Sequence, residues 1–155
     1  MLHQKNVLIV EDEAFTALEL AASVEDEGGI VIGPAASVRE ALRFISGNEI
    51  HAAILDVHLT DRDVGPVADL LLDRCVAVVI HSGLGATREM VERHPELTVY
   101  YKPTDPRIIM TKLAALMSSA QQEKIGPSEP SFPGDIEGSK EPETPVEPVP
   151  GLGKS

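Results

Sequence analysis

Five short, almost wholly apolar runs recur along the chain, and each is followed by a stretch with helical spacing. They are NVLIV (6–10), IVIGPA (30–35), HAAILDV (51–57), VAVVI (76–80) and LTVYYK (97–102). Runs of this length without polar alternation fit strands buried on both faces. Such strands need a parallel sheet with helices on each side. The intervening segments supply the helices. AFTALELAASVEDEG (14–28) puts Phe15, Leu18, Ala22 and Val24 roughly on one face and ends at glycine. SVREALRFIS (37–46) opens with Ser37 as N-cap and Glu40 three residues on, a capping box. GPVADLLLDR (65–74) carries proline near its first turn, and ATREMVERH (86–94) stops before Pro95. DPRIIMTKLAALMSSAQQE (105–123) completes the set, with Ile108, Leu113 and Leu116 among its expected inner residues. The spacing predicts an α/β (βα)5 fold with a doubly wound five-stranded parallel sheet, the second strand stopping at Gly33-Pro34. Right-handed crossovers leave few strand orders, of which 2-1-3-4-5 is one of two common ones.

Composition narrows the function classes. Aromatics make up 3% of the 155 residues, so the core must be Val, Ile, Leu and Ala, and few rings are left to stack on bases. A net charge of −12 argues against direct DNA binding, which needs a basic face. The one cysteine, Cys75, cannot form an intramolecular disulfide, which suits a reducing, cytoplasmic setting. The start MLHQKN leads into a strand without a signal-like apolar run, and no stretch is long enough for a membrane span. Beyond residue 124 the composition changes: 125–155 hold seven of the twelve prolines and six acidic residues, too little apolar material for a core. The expected organisation is one domain over 1–124 and an extended Pro/Gly/Glu-rich disordered tail over 125–155. The final GLGKS resembles the end of a phosphate loop, but Pro148 stands where the first glycine is needed and no helix follows.

In sheets of this kind ligands bind beyond the carboxyl ends of the strands. There the sequence places Glu11, Asp12 and Glu13 after the first strand, Asp56 at the end of the third, Ser82 after the fourth and Lys102 after the fifth. Clustered carboxylates resist joint ionisation, and a divalent cation relieves them. Magnesium fits, as a hard ion taking one or two carboxylates together with waters and phosphate oxygens. The set is suited to a phosphoryl group: Asp56 as nucleophile, Lys102 and magnesium as neutralisers of charge, Ser82 as hydroxyl donor. Blander readings stand beside each. Acidic residues after a strand often only stabilise a helix N-terminus, the reading preferred for Glu13. Ser82 alone would be an N-cap and Lys102 alone a surface lysine, but Asp56 lies in an apolar strand and needs a partner. His58, His81 and His94 lack metal-ligand spacing, and His3 and His51 are expected on the solvent side.

VLIVEDE, AAILDVHL, VIHSG and YYKP, in this order at strand ends, resemble the receiver domain of two-component response regulators over about residues 5–118. The resemblance implies the flavodoxin-like receiver fold with strand order 2-1-3-4-5. It implies that Asp56 accepts a phosphoryl group from a sensor histidine kinase or phosphotransfer protein. Asp12 and Asp56 would bind Mg2+ directly, Glu11 through water, and His58 through its backbone carbonyl. Lys102 would pair with the carboxylate and then the phosphate, aimed by a cis bond to Pro103. Ser82 would be the switch hydroxyl, with Gly83 sparing the phosphate from crowding. Many receivers place an aromatic residue three before the lysine; here that position is Val99, and Tyr101 shares its strand face. The Ser-Gly turn is also similar, at its last two positions, to a stand-alone alphaproteobacterial subgroup with a Phe-Ala-Thr-Gly-type motif.

The expected function is a single-domain response regulator, a switch acting through a downstream protein partner, monomeric or dimerising on phosphorylation. It would be no enzyme beyond phosphorylation and dephosphorylation of its own Asp56. A phosphorylation-independent adaptor is the alternative. An aspartate-based phosphatase of the haloacid dehalogenase type is disfavoured, because His58 replaces the second aspartate of DxDxT and Asp56 lies on the third strand, not the first.

Overall fold

A computed structural model of the chain describes residues 1–125; the sequence-predicted disordered tail lies, but for Ile125, outside them. The chain divides into Met1–Ser118 and Ser119–Ser155, and the described part of the second unit is the end of the last helix. In chain order the elements are β1 (Asn6–Val10), α1 (Ala14–Asp26), β2 (Ile30–Ala35), α2 (Val38–Gly47), β3 (Ala52–Leu55), α3 (Gly65–Asp73), β4 (Ala77–Ser82), α4 (Arg88–Arg93), β5 (Thr98–Tyr101) and α5 (Pro106–Ile125). All four strand pairings are parallel and the order is β2-β1-β3-β4-β5, the flavodoxin-like receiver order.

Strand alternation sends successive side chains to opposite layers. Leu8, Val10, Ala53, Leu55, Val78 and Ile80 pack with Val38, Ala41 and Ile45 of α2, Val67, Ala68 and Leu71 of α3 and Met90 of α4. Val7, Ile9, Ala52, Ile54, Ala77 and Val79 pack with Leu20 and Val24 of α1 and Ile109, Met110 and Leu113 of α5. The central strands are therefore buried on both faces, as their unbroken apolar runs require.

Two helices are rotated from the sequence expectation. The inner face of α1 is Ala17, Leu20 and Val24, while Phe15 and Leu18 are 73% and 67% exposed. A three-residue step from Ala17 to Leu20 and a four-residue step to Val24 make a tighter stripe than the set built on Phe15. On α5, Leu113 faces inward as expected, but Ile108 is exposed and Ile109 and Met110 take its place. At α2 the cap forms as predicted: Ser37 Oγ accepts the Glu40 N–H at 3.1 Å. The Glu40 carboxylate, however, accepts from Ala36 N–H at 2.8 Å and so closes one residue earlier than an ideal box.

The second strand does not stop at Gly33-Pro34. It continues to Ala35 through an irregularity, with Leu8 opposite Ile32 but Val10 opposite Ala35. Two steps on β1 thus face three on β2, a bulge. Gly33 makes it possible with φ +96°, where a Cβ would sit 2.9 Å from the Ala35 nitrogen and 3.0 Å from the Ile9 oxygen. His51 is also not a solvent-side residue. It is half-buried, its Nδ1 accepting the Asn6 N–H at 2.9 Å.

The two faces of α1 make a direct contrast. Leu20→Ala should lower the unfolding free energy by about 2–5 kcal/mol, whereas Phe15→Ala should change it by less than about 0.5 kcal/mol. Urea denaturation of both variants checks this; a Phe15→Ala loss as large as that of Leu20→Ala would return Phe15 to the core.

Candidate functional site

Three ladder hydrogen bonds carry the sheet one residue past its formal strand ends, and each carries a site residue with it. Glu11 N–H donates to Ala35 O at 2.8 Å, Asp56 N–H to Val10 O at 2.8 Å, and Lys102 N–H to Ser82 O at 3.0 Å. The side chains at the carboxyl edge therefore hang from backbone fixed by neighbouring strands. Ser82 is the last residue of β4, paired with Tyr101, and is buried.

Lys102 is the centre of this edge. Its Nζ lies 3.0 Å from Glu11 Oε1, 3.1 Å from Glu13 Oε1 and 3.1 Å from Asp56 Oδ2. Glu11 Oε2 accepts in addition the Glu13 N–H at 3.1 Å, and Asp56 Oδ1 accepts the Val57 N–H at 2.8 Å. Glu13 is thus a lysine partner and not merely a charge at the helix dipole: it occupies the N-cap position of α1, but its side chain makes no capping bond there.

Burial and charge oppose one another here. Glu11 is 3% exposed, and desolvation pushes its carboxyl up to about 7, against the Glu13 N–H and Lys102, which pull it down. Glu13, at the surface, is held below the usual carboxylate range chiefly by its hydrogen bond to Lys102. Desolvation drags the Lys102 ammonium down, but its hydrogen bonds to Glu11, Asp56 and Glu13 together outweigh burial and hold it above its ordinary value.

Carboxylate oxygens of Glu11, Asp12 and Asp56 lie within 4.8 Å of one another. Four carboxylates, with Glu13, face one ammonium, an excess of negative charge at a rim of hard oxygen donors. That donor set fits magnesium: Asp12 is exposed, while Asp56 and Glu11 are buried and each also bonds Lys102. His58 follows two residues beyond Asp56, exposed and bridged to Asp63 across a short loop.

The remaining sequence-predicted switch residues lie around Ser82. Val99 is half-buried against the α2/α3 layer. Lys102-Pro103 is cis, as the resemblance implied. A Cβ added at Gly83 would meet nothing within 4 Å, so the protein's own packing does not require glycine there. The constrained glycine of this loop is Gly85: its φ is +78°, and a Cβ would lie 2.8 Å from the Tyr101 ring. Tyr101 is 63% exposed and lies against Gly85, joining β5 to the loop after β4. His81 is buried with neither ring nitrogen hydrogen-bonded; burial first and Lys102 second keep it below its ordinary pKa, hence neutral. His94 instead pairs with Asp69 of α3 at 2.7 Å. A Ser-Gly dipeptide is visible in sequence, whereas the ring-on-glycine contact joins residues sixteen positions apart and is not.

The chain has the CheY-like receiver fold, with an acidic group and a lysine at the carboxyl edge of the sheet. It is similar to the response regulator receiver domain protein of Methanospirillum hungatei JF-1, with a TM-score of 0.69 and 22% identity over 77% of this chain and 98% of that one. SdrG of Sphingomonas melonis Fr1 is 30% identical over 76% of this chain and 99% of that one, with a TM-score of 0.62. Among curated proteins, the transcriptional regulatory protein PdtaR of Mycobacterium tuberculosis is 29% identical over 89 residues, 57% of this chain and 43% of PdtaR. The chain spans less than half the length of the curated relatives it matches. No protein-family model matches it. Among the described residues no helix is long and apolar enough to cross a membrane.

The raised Glu11 pKa has a signed consequence for stability. The folded state holds this proton more tightly than the unfolded chain, so the contribution is full below the ordinary value of 4.5 and is lost as pH rises to about 7. Glu11→Gln removes the titration. In metal-free buffer the stability of the variant relative to wild type should therefore rise between pH 5 and pH 7.5, by on the order of 1–3 kcal/mol. Urea melts at both pH values check this; a difference independent of pH would show that Glu11 ionises normally.

Proposed function

We propose that the chain is a phosphorylation-dependent switch of two-component signalling, in which Asp56 accepts a phosphoryl group from a sensor histidine kinase or phosphotransfer protein. The observation that carries this reading is the joint attachment of Lys102 to Glu11, Glu13 and Asp56 at the ligand-binding edge of the sheet. An isolated structural lysine has no need of three carboxylates, whereas a phosphoacceptor site needs a cation beside its nucleophile.

In this mechanism a carboxylate oxygen of Asp56 attacks the phosphorus of the donor phosphohistidine. A P–O bond forms, the P–N bond breaks, and the imidazole leaves. Asp12 and Asp56 would hold magnesium, with Glu11 acting through water and His58 through its backbone carbonyl, and the ion would supply charge neutralisation at the phosphoryl oxygens. The Lys102 ammonium moves from carboxylate to phosphoryl oxygen without leaving its burial site. Val57 N–H keeps Asp56 oriented through the 2.8 Å bond to Oδ1. Ser82 then turns its hydroxyl toward the new oxygens and draws the loop after β4 with it.

The readout in this proposal is the surface beyond that loop. Val91 of α4, Tyr101 of β5 and Ile108 of α5 are large, exposed apolar residues, and a downstream protein would read their arrangement. Val99 is too small to act as a rotating ring, so Tyr101 on Gly85 takes the aromatic role. A self-contained switch of the Phe-Ala-Thr-Gly-type subgroup is the finer form of this reading, supported by Ser82-Gly83 and by the similar stretch VIGPAASVREAL (31–42).

Beryllofluoride with Mg2+ mimics an aspartyl phosphate and tests the proposal. Amide NMR of wild type should show saturable shifts at Asp12, Asp56, Ser82 and Lys102 that extend to Gly85 and Tyr101, and Asp56→Ala should show none. A wild type indifferent to both ligands would leave a receiver-shaped adaptor.

A further inference from the structure

Asp61 lies five residues past Asp56, in the loop joining β3 to α3, and its carboxylate reaches a different element. Oδ1 accepts the Val38 N–H at 2.9 Å and Oδ2 the Arg39 N–H at 3.1 Å, so both oxygens grip the first two residues of α2. Beside it, Thr60 Oγ1 donates to Ala36 O at 3.3 Å. We infer that Asp61 is a positioning residue for the Asp56 site: it clips the loop after β3 onto α2, and so fixes the backbone that orients the Asp56 carboxylate and presents the His58 carbonyl.

The loop can transmit this constraint because it is closed on itself. Val64 N–H donates to Val57 O at 2.8 Å and Leu59 N–H to Arg62 O at 3.2 Å, and His58 bridges Asp63. Asp63 Oδ1 in turn accepts the Gly65 N–H at 2.8 Å, fastening the loop to the start of α3. The hairpin thus has its base at Val57 and Val64 and its tip at Thr60 and Asp61. Val57 is also the residue whose N–H holds Asp56 Oδ1. A continuous path therefore runs from the α2 N-terminus through Asp61 and the hairpin to the proposed nucleophile.

Capping is part of what the two bonds do: Ser37 Oγ takes the Glu40 N–H and Glu40 Oε1 the Ala36 N–H, which leaves the Val38 and Arg39 N–H groups to Asp61. Asp61 comes from 23 residues away, so its bonds tie two segments as well as satisfying a helix end. The backbone donors also hold its carboxyl below the usual range, keeping the clip ionised under mildly acidic conditions.

The inference rests on the phosphoacceptor reading, and the test separates the two. The full chain is titrated with Mg2+ as wild type, Asp61→Ala, Asp61→Asn and Ser37→Ala. Amide shifts of Asp56 and Val57 give the affinity, and hydrogen exchange at Leu59 and Val64 gives the order of the loop. Asp61→Ala should weaken Mg2+ binding about tenfold, in the range of outer-shell changes at metal sites, and speed exchange at both amides. Asp61→Asn, with one acceptor oxygen left, should fall between. Ser37→Ala removes the helix's own cap and should lower stability while leaving Mg2+ affinity unchanged. An Asp61→Ala affinity within about twofold of wild type would overturn the inference alone and leave Asp61 a cap. A wild type that binds no Mg2+ would overturn the phosphoacceptor reading, and the inference with it.

Discussion

One ammonium among carboxylates governs this molecule's carboxyl edge. Glu11, Glu13 and Asp56 are brought within hydrogen-bonding distance of a single nitrogen, and without it like charges would face one another in a partly dry site. The arrangement is neither neutral nor relaxed. Lys102 spends its three donors on three carboxylates that carry more negative charge than one ammonium balances, and Glu11 bears the burial cost in its raised pKa. A site in this condition gains from a second cation and from any group able to take over the lysine. That is the electrostatic reason a divalent ion and a phosphoryl group belong to the same reading.

The sheet makes that edge rigid. Each site residue is anchored by a ladder bond to a neighbouring strand, so Glu11, Asp56 and Lys102 inherit the register of β2, β1 and β4 respectively. Their positions are thereby a property of strand pairing and of the two apolar layers that enforce it. The loops are free to differ, and they do: the one after β3 is a hairpin clipped to α2, while the one after β4 turns at a left-handed glycine under a tyrosine ring.

How far these features can be read from the sequence depends on their range. The five strands are legible because each is a contiguous apolar run, and Asp56 stands out because a carboxylate in such a run needs compensation. Lys102 and the acidic group become legible once the strand ends are aligned. Local patterns are less informative on the helices. Phe15 and Leu18 are as apolar as any core residue, but the core reads spacing, and Ala17, Leu20 and Val24 have the better one. Glu13 and Asp61 are opaque for another reason. Their partners, Lys102 and the α2 N-terminus, lie 89 and 22–23 residues away, and no spacing rule spans such distances. The bulge at Gly33 misleads in the opposite sense, since Gly-Pro signals a stop only where no neighbouring strand carries the chain through.

Tyr101 on Gly85 has a practical corollary. The chain contains two tyrosines and no tryptophan, and both tyrosines stand immediately before Lys102. Tyr100 packs against the α1/α5 layer, and Tyr101 lies over the glycine backbone toward solvent. Almost all near-ultraviolet absorption and intrinsic emission of this protein therefore originates at one end of β5. Its optical spectrum is, without any label, a local spectrum of the lysine edge.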